Sequence, residues 1–141
     1  MTDRVLVPVD ESDHARHALD HALEAFPDAT LVLLHVINPA EAGFSASASM
    51  PSFAEDWYEH ASEQAEELLG EYEAYAASRG ATVERAVEVG KPTRIIVEYA
   101  EDDVDHVVMG SHAREGVTRV LLGSVAEAVV RRSPVPVTVT R

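Results

Sequence analysis

Short apolar runs alternate with amphipathic stretches along the whole chain. Residues 4–9, 30–37 and 106–109 are continuously apolar or nearly so, and they are rich in β-branched side chains. Runs of this length are typical of parallel strands that are buried on both faces. Residues 81–89 and 134–140 instead alternate apolar and polar positions, which indicates partial exposure and, for 81–89, an edge strand. The pattern therefore predicts five strands.

Four amphipathic helices are predicted between these strands. The first carries apolar residues at i, i+3, i+4 and i+7 from Ala15 onwards, and the second is a long acidic helix whose apolar stripe begins at Trp57. Gly80 is expected in the left-handed position that ends this second helix. The third begins near Pro92 and the fourth at Ser124. Strands alternating with helices predict an α/β, Rossmann-like fold: a doubly wound five-stranded parallel sheet in the order 3-2-1-4-5 with helices on both faces.

The chain has the length of one domain, so residues 1–141 are predicted to form a single unit. Residues 38–53 are rich in Pro, Gly, Ser and Ala, lack periodicity and exceed most connections in length, which predicts a flexible loop. No apolar run approaches the roughly 18 residues of a membrane span, and no export signal precedes the first strand. Cytoplasm is the expected location. The absence of cysteine excludes disulfides and thiolate metal sites.

The charge balance is strongly acidic, with 25 Asp and Glu against 11 Lys and Arg and a formal net charge of −14. Such a surface repels phosphate backbones and anionic lipids, which excludes nucleic acid and membranes as expected partners. The acidic residues are spread over every predicted helix. This distribution favours adaptation to a salt-rich cytoplasm, as in a halophile, over a dedicated acidic interaction surface.

Candidate chemistry lies where the winding of the predicted sheet reverses, because ligands of doubly wound folds sit beyond the carboxyl ends of the strands there. Asp10 follows the first strand and Gly110 ends the fourth, while Gly123 and Ser124 open the last helix. Glycine backbone N–H groups and a helix N-terminus suit phosphate oxygens, and Arg114 could add charge. The alternative is that these glycines serve only turn and cap geometry. Standard P-loop and dinucleotide-binding glycine motifs are absent.

Several segments together resemble one family. They are residues 5–10 (VLVPVD), residues 34–36 (LHV), Gly90-x-Pro92 and residues 109–125, which contain MGSH-x-x-x-G and LLGSV. The chain strongly resembles the universal stress protein family over essentially its whole length. The resemblance implies a stress-response protein that binds ATP, with or without Mg²⁺, in the switch-point crevice and acts as a sensor or regulatory module for an unknown protein partner.

ATP-binding members of that family carry G-x-x-G-x9-G-[ST]. Gly110 matches the first glycine, Gly123 the third and Ser124 the hydroxyl, whereas Ala113 stands where the second glycine belongs. If that position requires a positive φ, alanine costs on the order of 1 kcal/mol. The alternative function is therefore a scaffold or interaction protein that has lost ATP binding with Ala113.

The resemblance also implies individual roles. Asp10 would accept a hydrogen bond from the adenine end, Val36 would line the adenine and ribose pocket, and residues 109–125 would hold ribose and phosphates. A homodimer would form by antiparallel pairing of the last strand, whose apolar positions are Val135, Val137 and Val139. The full predicted nucleotide-binding set is Pro8, Asp10, Val36, Met109, Gly110, Ser111, His112, Ala113, Arg114, Gly123, Ser124 and Val125.

No catalytic residues are predicted. The chain has no recognisable nucleophile motif, no general base or metal carboxylate is identifiable beside the glycine segment, and slow ATP hydrolysis is the most that is expected. His14, His17 and His21 lie on one side of the first helix, with His17 and His21 at a metal-pair spacing. They share that side with acidic residues, which favours a solvated surface, and no metal site is predicted.

Overall fold

Strands and helices alternate through the described part of the chain, which is residues 2–42, 51–111 and 122–141 of a computed structural model. The strands form one parallel sheet in the order β3-β2-β1-β4-β5, which confirms the predicted fold. The elements are β1 (Arg4–Pro8), α1 (Asp13–Ala25), β2 (Thr30–Ile37), a 3-10 helix (Pro39–Ala42), α2 (Pro51–Ser78), β3 (Thr82–Val89), α3 (Pro92–Asp102), β4 (His106–Gly110), α4 (Ser124–Arg132) and β5 (Val137–Thr140).

β1 lies at the centre of the sheet and joins its two halves. Val5 of β1 is in register with Leu31 of β2 on one side and with His106 of β4 on the other. The chain therefore winds from β1 through β2 to β3 in one direction and returns to β4 and β5 in the other. The carboxyl ends of β1 and β4 are neighbours at the point of reversal, and this is where the winding leaves room for a ligand.

The sheet has an apolar core on each face. α1 and α2 cover one face, where Val7 and Leu33 are fully buried, and α3 and α4 cover the other, where Leu6 and Val107 are fully buried. Successive residues of β1 and β2 point into opposite cores, which explains why these strands are continuously apolar. In the described residues, no helix is both long enough and apolar enough to cross a membrane.

The end of α2 has the geometry expected from its sequence. Gly80 has φ +84°, and its N–H donates to the carbonyl of Ala77 at 2.9 Å. The next N–H, of Ala81, donates to the carbonyl of Ala76 at 3.1 Å. These two bonds form a Schellman motif and use carbonyls that the last helical turn would otherwise leave without a partner.

The bounds of the predicted 38–53 loop need correction. Residues 39–42 form a 3-10 helix, because the side chain and carbonyl of Asn38 accept hydrogen bonds from the N–H groups of Ala40 and Glu41 at 3.1 and 3.0 Å. α2 begins at Pro51, whose fixed φ suits a first helical position. Residues 43–50 lie outside the described part of the chain, so flexibility there stays a prediction.

The last strand is shorter than predicted from alternation. β5 starts at Val137 because Ser133 turns the preceding segment: its hydroxyl donates to the carbonyl of Val135 at 2.8 Å and accepts from the N–H of that residue at 3.1 Å. Pro136 has no N–H but contributes its carbonyl, which accepts from Val107 at 3.0 Å. β3 occupies the opposite edge of the sheet, as its alternating sequence predicted.

Candidate functional site

A cleft of about 800 Å³ opens at the carboxyl ends of β1, β2 and β4. Its floor is formed by the ends of these strands, one side by the start of α4, and the other side by the N-terminal half of α2. This volume is within the range of sites that hold a small molecule or cofactor. The predicted site residues that line it are Pro8, Asp10, Val36, Met109, Gly110, Gly123, Ser124 and Val125.

The remaining four predicted site residues all lie between β4 and α4 in the sequence. His112, Ala113 and Arg114 lie outside the described residues. Ser111 is 4% exposed and is not one of the residues that line the cleft. Its hydroxyl accepts a hydrogen bond from the N–H of Gly123 at 3.2 Å, and its own N–H donates to the carbonyl of Thr140 at 2.8 Å. Ser111 therefore ties the end of β4 to β5 and to the start of α4.

Asp10 orders the turn between β1 and α1. Its Oδ1 accepts hydrogen bonds from the N–H and the hydroxyl of Ser12 at 2.9 and 2.5 Å. Ser12 is the N-cap of α1, but its side chain accepts no cap hydrogen bond from the first turn, and its hydroxyl donates to Asp10. The carbonyl of Asp10 also accepts from the hydroxyl of Tyr72 at 3.3 Å, so α2 is tied to the same turn. Burial, and then the charge of Asp10, raise the pKa of Tyr72 above its ordinary value.

Gly110 is required by packing between α1 and β4. A Cβ at this position would lie 2.5 Å from the carbonyl oxygen of His14 and 2.7 Å from its Cβ. These atoms belong to the first turn of α1, which therefore crosses the strand at a distance that only glycine permits. This contact explains the glycine whether or not a ligand is present. It also corrects the prediction that His14 is a solvated surface residue, since it is half-buried against β4.

Gly123 has a different explanation from Gly110. It is the N-cap of α4 with φ −64° and ψ 161°, an extended conformation that any residue adopts. Turn geometry therefore does not demand glycine here. Gly123 and the exposed Ser124 both line the cleft at the N-terminus of α4, where backbone N–H groups of the first turn have no partner within the helix. This end of the cleft suits an anion.

The contribution of α2 to the cleft is not predicted by the sequence pattern. The apolar stripe that begins at Trp57 predicts a core-facing side, whereas in the structure Trp57 and Ala61 line the cleft together with His60 and Gln64, and Leu68 both lines the cleft and packs against the core. The core stripe is confined to the C-terminal half of the helix, at Ala65, Leu69, Tyr72 and Ala76. The polar residues at positions 60 and 64, one turn apart and on the apolar side, are the signal that could have revealed the change.

His35 also lines the cleft, although the sequence pattern predicts it only as part of the second strand. Its Nδ1 lies 2.9 Å from the carbonyl oxygen of Val9. Because a carbonyl only accepts, Nδ1 carries the proton, and Nε2 of the neutral ring is then an acceptor. Val9 in turn donates its N–H to the carbonyl of Leu34 at 2.8 Å, so this hydrogen-bonded chain fixes the ends of β1 and β2 relative to each other.

The described wall of the cleft is anionic. Its charged residues are Asp10, Glu11 and Glu41, and it contains no lysine or arginine. Arg114 lies outside the described residues. Across residues 2–42, 51–111 and 122–141, no group of three or more His, Asp or Glu side chains could hold a metal ion. A phosphate would therefore be held in the described part by the N–H groups at the start of α4.

Comparison with known proteins identifies the relatives of this fold. The model of the universal stress protein family matches residues 1–141. The universal stress protein MJ0577 of Methanocaldococcus jannaschii is 31% identical, with 100% of this chain and 96% of the relative covered. The solved structure of MJ0577 has a TM-score of 0.83 at 32% identity, over 98% of this chain and 94% of the other.

Two further structural neighbours hold an adenine nucleotide. One is a universal stress protein in complex with cAMP, with a TM-score of 0.68 at 27% identity over 99% of this chain and 97% of the other. The second is a universal stress protein family protein from Arabidopsis thaliana with AMP bound, with a TM-score of 0.69 over 97% and 90% of the two chains. At 19% identity this second likeness shows the fold alone.

Proposed function

The chain belongs to the universal stress protein family, and from this membership we propose that it is a stress-response protein that binds an adenine nucleotide in the cleft at the carboxyl ends of β1, β2 and β4. The ligand of the proposal is ATP, with or without Mg²⁺. The protein binds it without catalysing a reaction and acts as a sensor or regulatory module for a protein partner.

The observation that carries the proposal is the convergence of the predicted residues. Eight of them, contributed by β1 and the turn that follows it, β2, the end of β4 and the start of α4, line one cleft although they are far apart in the sequence. Gly123 adds support, because its backbone does not require glycine and its place at the helix N-terminus suits close approach of a phosphate. A 27% identical neighbour over almost the whole chain holds cAMP.

In the proposed complex, the phosphates lie at the N-terminus of α4, beside Gly123 and Ser124, and the base lies toward Val36 on β2. The hydroxyl of Ser124 and the first N–H groups of α4 donate to phosphate oxygens. Asp10, Glu11 and Glu41 oppose the negative charge of ATP. Mg²⁺ on the phosphates, or Arg114, would offset this repulsion.

The alternative is an interaction protein that no longer binds ATP. It is favoured by the packing role of Gly110, which explains that glycine without a ligand, and by Ala113 in the motif. Under this alternative the fold and the family are unchanged, and only the ligand is lost.

We also propose a homodimer through β5. This strand lies at an edge of the sheet, its Val137 and Val139 are half-buried, and Val130 of the neighbouring α4 is 45% exposed. An edge strand with apolar side chains can pair with a second copy and remove both edges from solvent.

Calorimetry with ATP tests the function. The titration is run with Mg²⁺ in about 1 M KCl, where a Debye length of ~3 Å screens the acidic wall. We expect binding, and we expect Ser124→Ala to weaken it by about twofold to 13-fold through the loss of one hydrogen bond of about 0.5–1.5 kcal/mol. Ser78→Ala, at the far end of α2, is the matched control. If titration of the wild type with ATP gives no heat of binding but titration of Ala113→Gly does, the alternative function is correct.

A further inference from the structure

The N-terminal half of α2 presents an aromatic and polar face to the cleft. Trp57, His60, Ala61, Gln64 and Leu68 line the cleft from one side, because positions 57, 60 and 61, 64 and 68 recur at three- to four-residue spacing on one face of the helix. Trp57 is half-buried there and is the only tryptophan of the chain. Toward the C-terminus of α2 the apolar side chains enter the core, and Leu68 marks the transition because it contacts both the cleft and the core.

The order of the strands decides which end of a ligand meets this face. α2 packs on β2 and β3, whereas Gly110 and the N-terminus of α4 lie on the β4 side, with β1 between them. A nucleotide whose phosphates lie at the start of α4 crosses the end of β1 and extends toward β2. Val36 packs toward the α3 and α4 face and α2 lies on the other face, but both line the cleft, so the base reaches the space that they share beyond the end of β2.

We infer that the side chain of Trp57 stacks on the base of the bound nucleotide, so that α2 forms the outer wall of the base pocket. This inference rests on the proposed function. An indole offers a large flat surface to a purine ring, and such stacking tolerates any base because every base has a π face. His60 and Gln64 supply polar atoms beside Trp57, while Ala61 leaves space for a ring. The described face carries no lysine or arginine that would hold a phosphate instead.

The single tryptophan makes the contact directly measurable. Adenosine contains the base but no phosphate, and tripolyphosphate contains the phosphates but no base. We expect adenosine and ATP to quench the fluorescence of Trp57 and tripolyphosphate to leave it unchanged. The matched control is Trp57→Phe combined with Tyr58→Trp, which moves the indole by one residue to a side chain that is 49% exposed and does not line the cleft. In this control ATP should not quench.

Affinity supplies the second measurement. Removing a base stack weakens binding roughly fivefold to 150-fold, so Trp57→Ala should raise the Kd for ATP at least about fivefold, and Trp57→Phe should retain most of the affinity. Glu63→Gln, on an exposed position of α2 outside the cleft, should leave the Kd unchanged. Circular dichroism establishes that each variant is folded. If Trp57→Ala does not fold, the stacking is tested by the ATP-dependent fluorescence of the wild type and of the Trp57→Phe, Tyr58→Trp variant alone.

The outcomes separate this inference from the proposed function. Calorimetric binding of ATP together with unchanged fluorescence, or with equal Kd values for wild type and Trp57→Ala, overturns the stacking and leaves nucleotide binding intact. Absence of calorimetric binding overturns both. Quenching by ATP and adenosine, absent in the moved-indole variant, supports the stacking.

Discussion

At the scale of single residues, two glycines of the same motif exist for different reasons. Gly110 avoids a clash with the first turn of α1, whereas Gly123 has an extended backbone and lines the cleft at the start of α4. Their positions were predictable from the sequence, because glycines after a strand and before a helix are typical of phosphate sites. The reason why position 110 requires glycine was not predictable from the sequence, since it depends on where α1 crosses β4.

Gly110→Ala should destabilise the protein by about 1–3 kcal/mol, the usual cost of overpacking a core contact. The new Cβ would lie 2.5 Å from a backbone oxygen of His14, and backbone cannot turn away as a side chain can. Urea unfolding measures the change. Gly70→Ala is the control, because a Cβ there meets only the Arg85 guanidinium at 3.9 Å. Alanine in place of this helical glycine should raise the free energy of unfolding by about 0.5–1 kcal/mol. Equal stability of Gly110→Ala and wild type would show that α1 shifts freely.

His106 gives the fold an acid-sensitive contact. Burial, and then the nearby charge of His21, lower the pKa of His106 below its ordinary value of 6.5. Its Nε2 lies 2.8 Å from the hydroxyl of Thr138, and its ring lies 4.8 Å from that of Phe26 between centroids. The unfolded chain therefore binds this proton more readily than the folded one, and the contribution of His106 to stability is lost as pH falls below about 6.5.

The measurement is the pH dependence of the free energy of unfolding between about pH 7 and pH 5. His106→Gln should reduce the loss of stability on acidification relative to wild type. His60→Gln, at an exposed position of α2, should follow the wild-type curve. Identical pH curves for wild type and His106→Gln would rule out this linkage.

At the scale of elements, the spacing of apolar residues, together with the glycines and prolines that begin or end elements, was enough to predict the order and type of the strands and helices. Apolar runs indicated β1, β2 and β4, and Gly80 indicated the end of α2. Two predicted boundaries were wrong because local hydrogen bonds set them. Those of Ser133 turn the chain before β5, so the strand starts later than predicted, and those of Asn38 form a 3-10 helix where a loop was predicted. The role of α2 in the cleft was missed, because periodicity identifies a helix face but not what that face meets.

The two edges of the sheet allow a direct test of the proposed dimer. The N–H of Ser111 donates to the carbonyl of Thr140, and the N–H of Val107 donates to that of Pro136, so positions 136 and 140 of β5 face β4. In a parallel ladder the intervening Val137 and Val139 direct their N–H groups away from it. A proline at such an edge position removes only an outward donor. Val139→Pro should therefore abolish β5 pairing between two copies while the fold remains.

Sedimentation at micromolar concentration measures the result, with a monomer expected for Val139→Pro and a dimer for wild type. Val89→Pro is the matched control at the other edge. The N–H of Gly90 donates to the carbonyl of Ile37, so Val89 points its own N–H away from β2 in the same way. This control should stay dimeric. A monomeric wild type, or a dimeric Val139→Pro, would contradict pairing through β5.

At the scale of the whole molecule, the net charge of −14 is the strongest feature of the surface. Ion pairs in the described residues engage Arg4, Arg16, Arg85 and Arg131, each exposed to solvent. Exposed pairs of this kind stabilise a protein by at most about 1 kcal/mol each. Self-repulsion among the remaining carboxylates opposes the compact state at low salt, which supports our proposal that the surface is adapted to a salt-rich environment.

The outer face of α2 allows this proposal to be tested with one variant. Four exposed glutamates follow each other at i, i+4 spacing, where like charges cost about 0.2–0.5 kcal/mol per neighbouring pair. Replacing all four with glutamine should raise the free energy of unfolding by about 1 kcal/mol at low salt, and the gain should vanish in about 1 M KCl. Wild type should itself become more stable over the same range, and sucrose at equal osmolality separates screening from solute exclusion. A wild type equally stable at low and high KCl would contradict adaptation to salt. The four residues are Glu55, Glu59, Glu63 and Glu67.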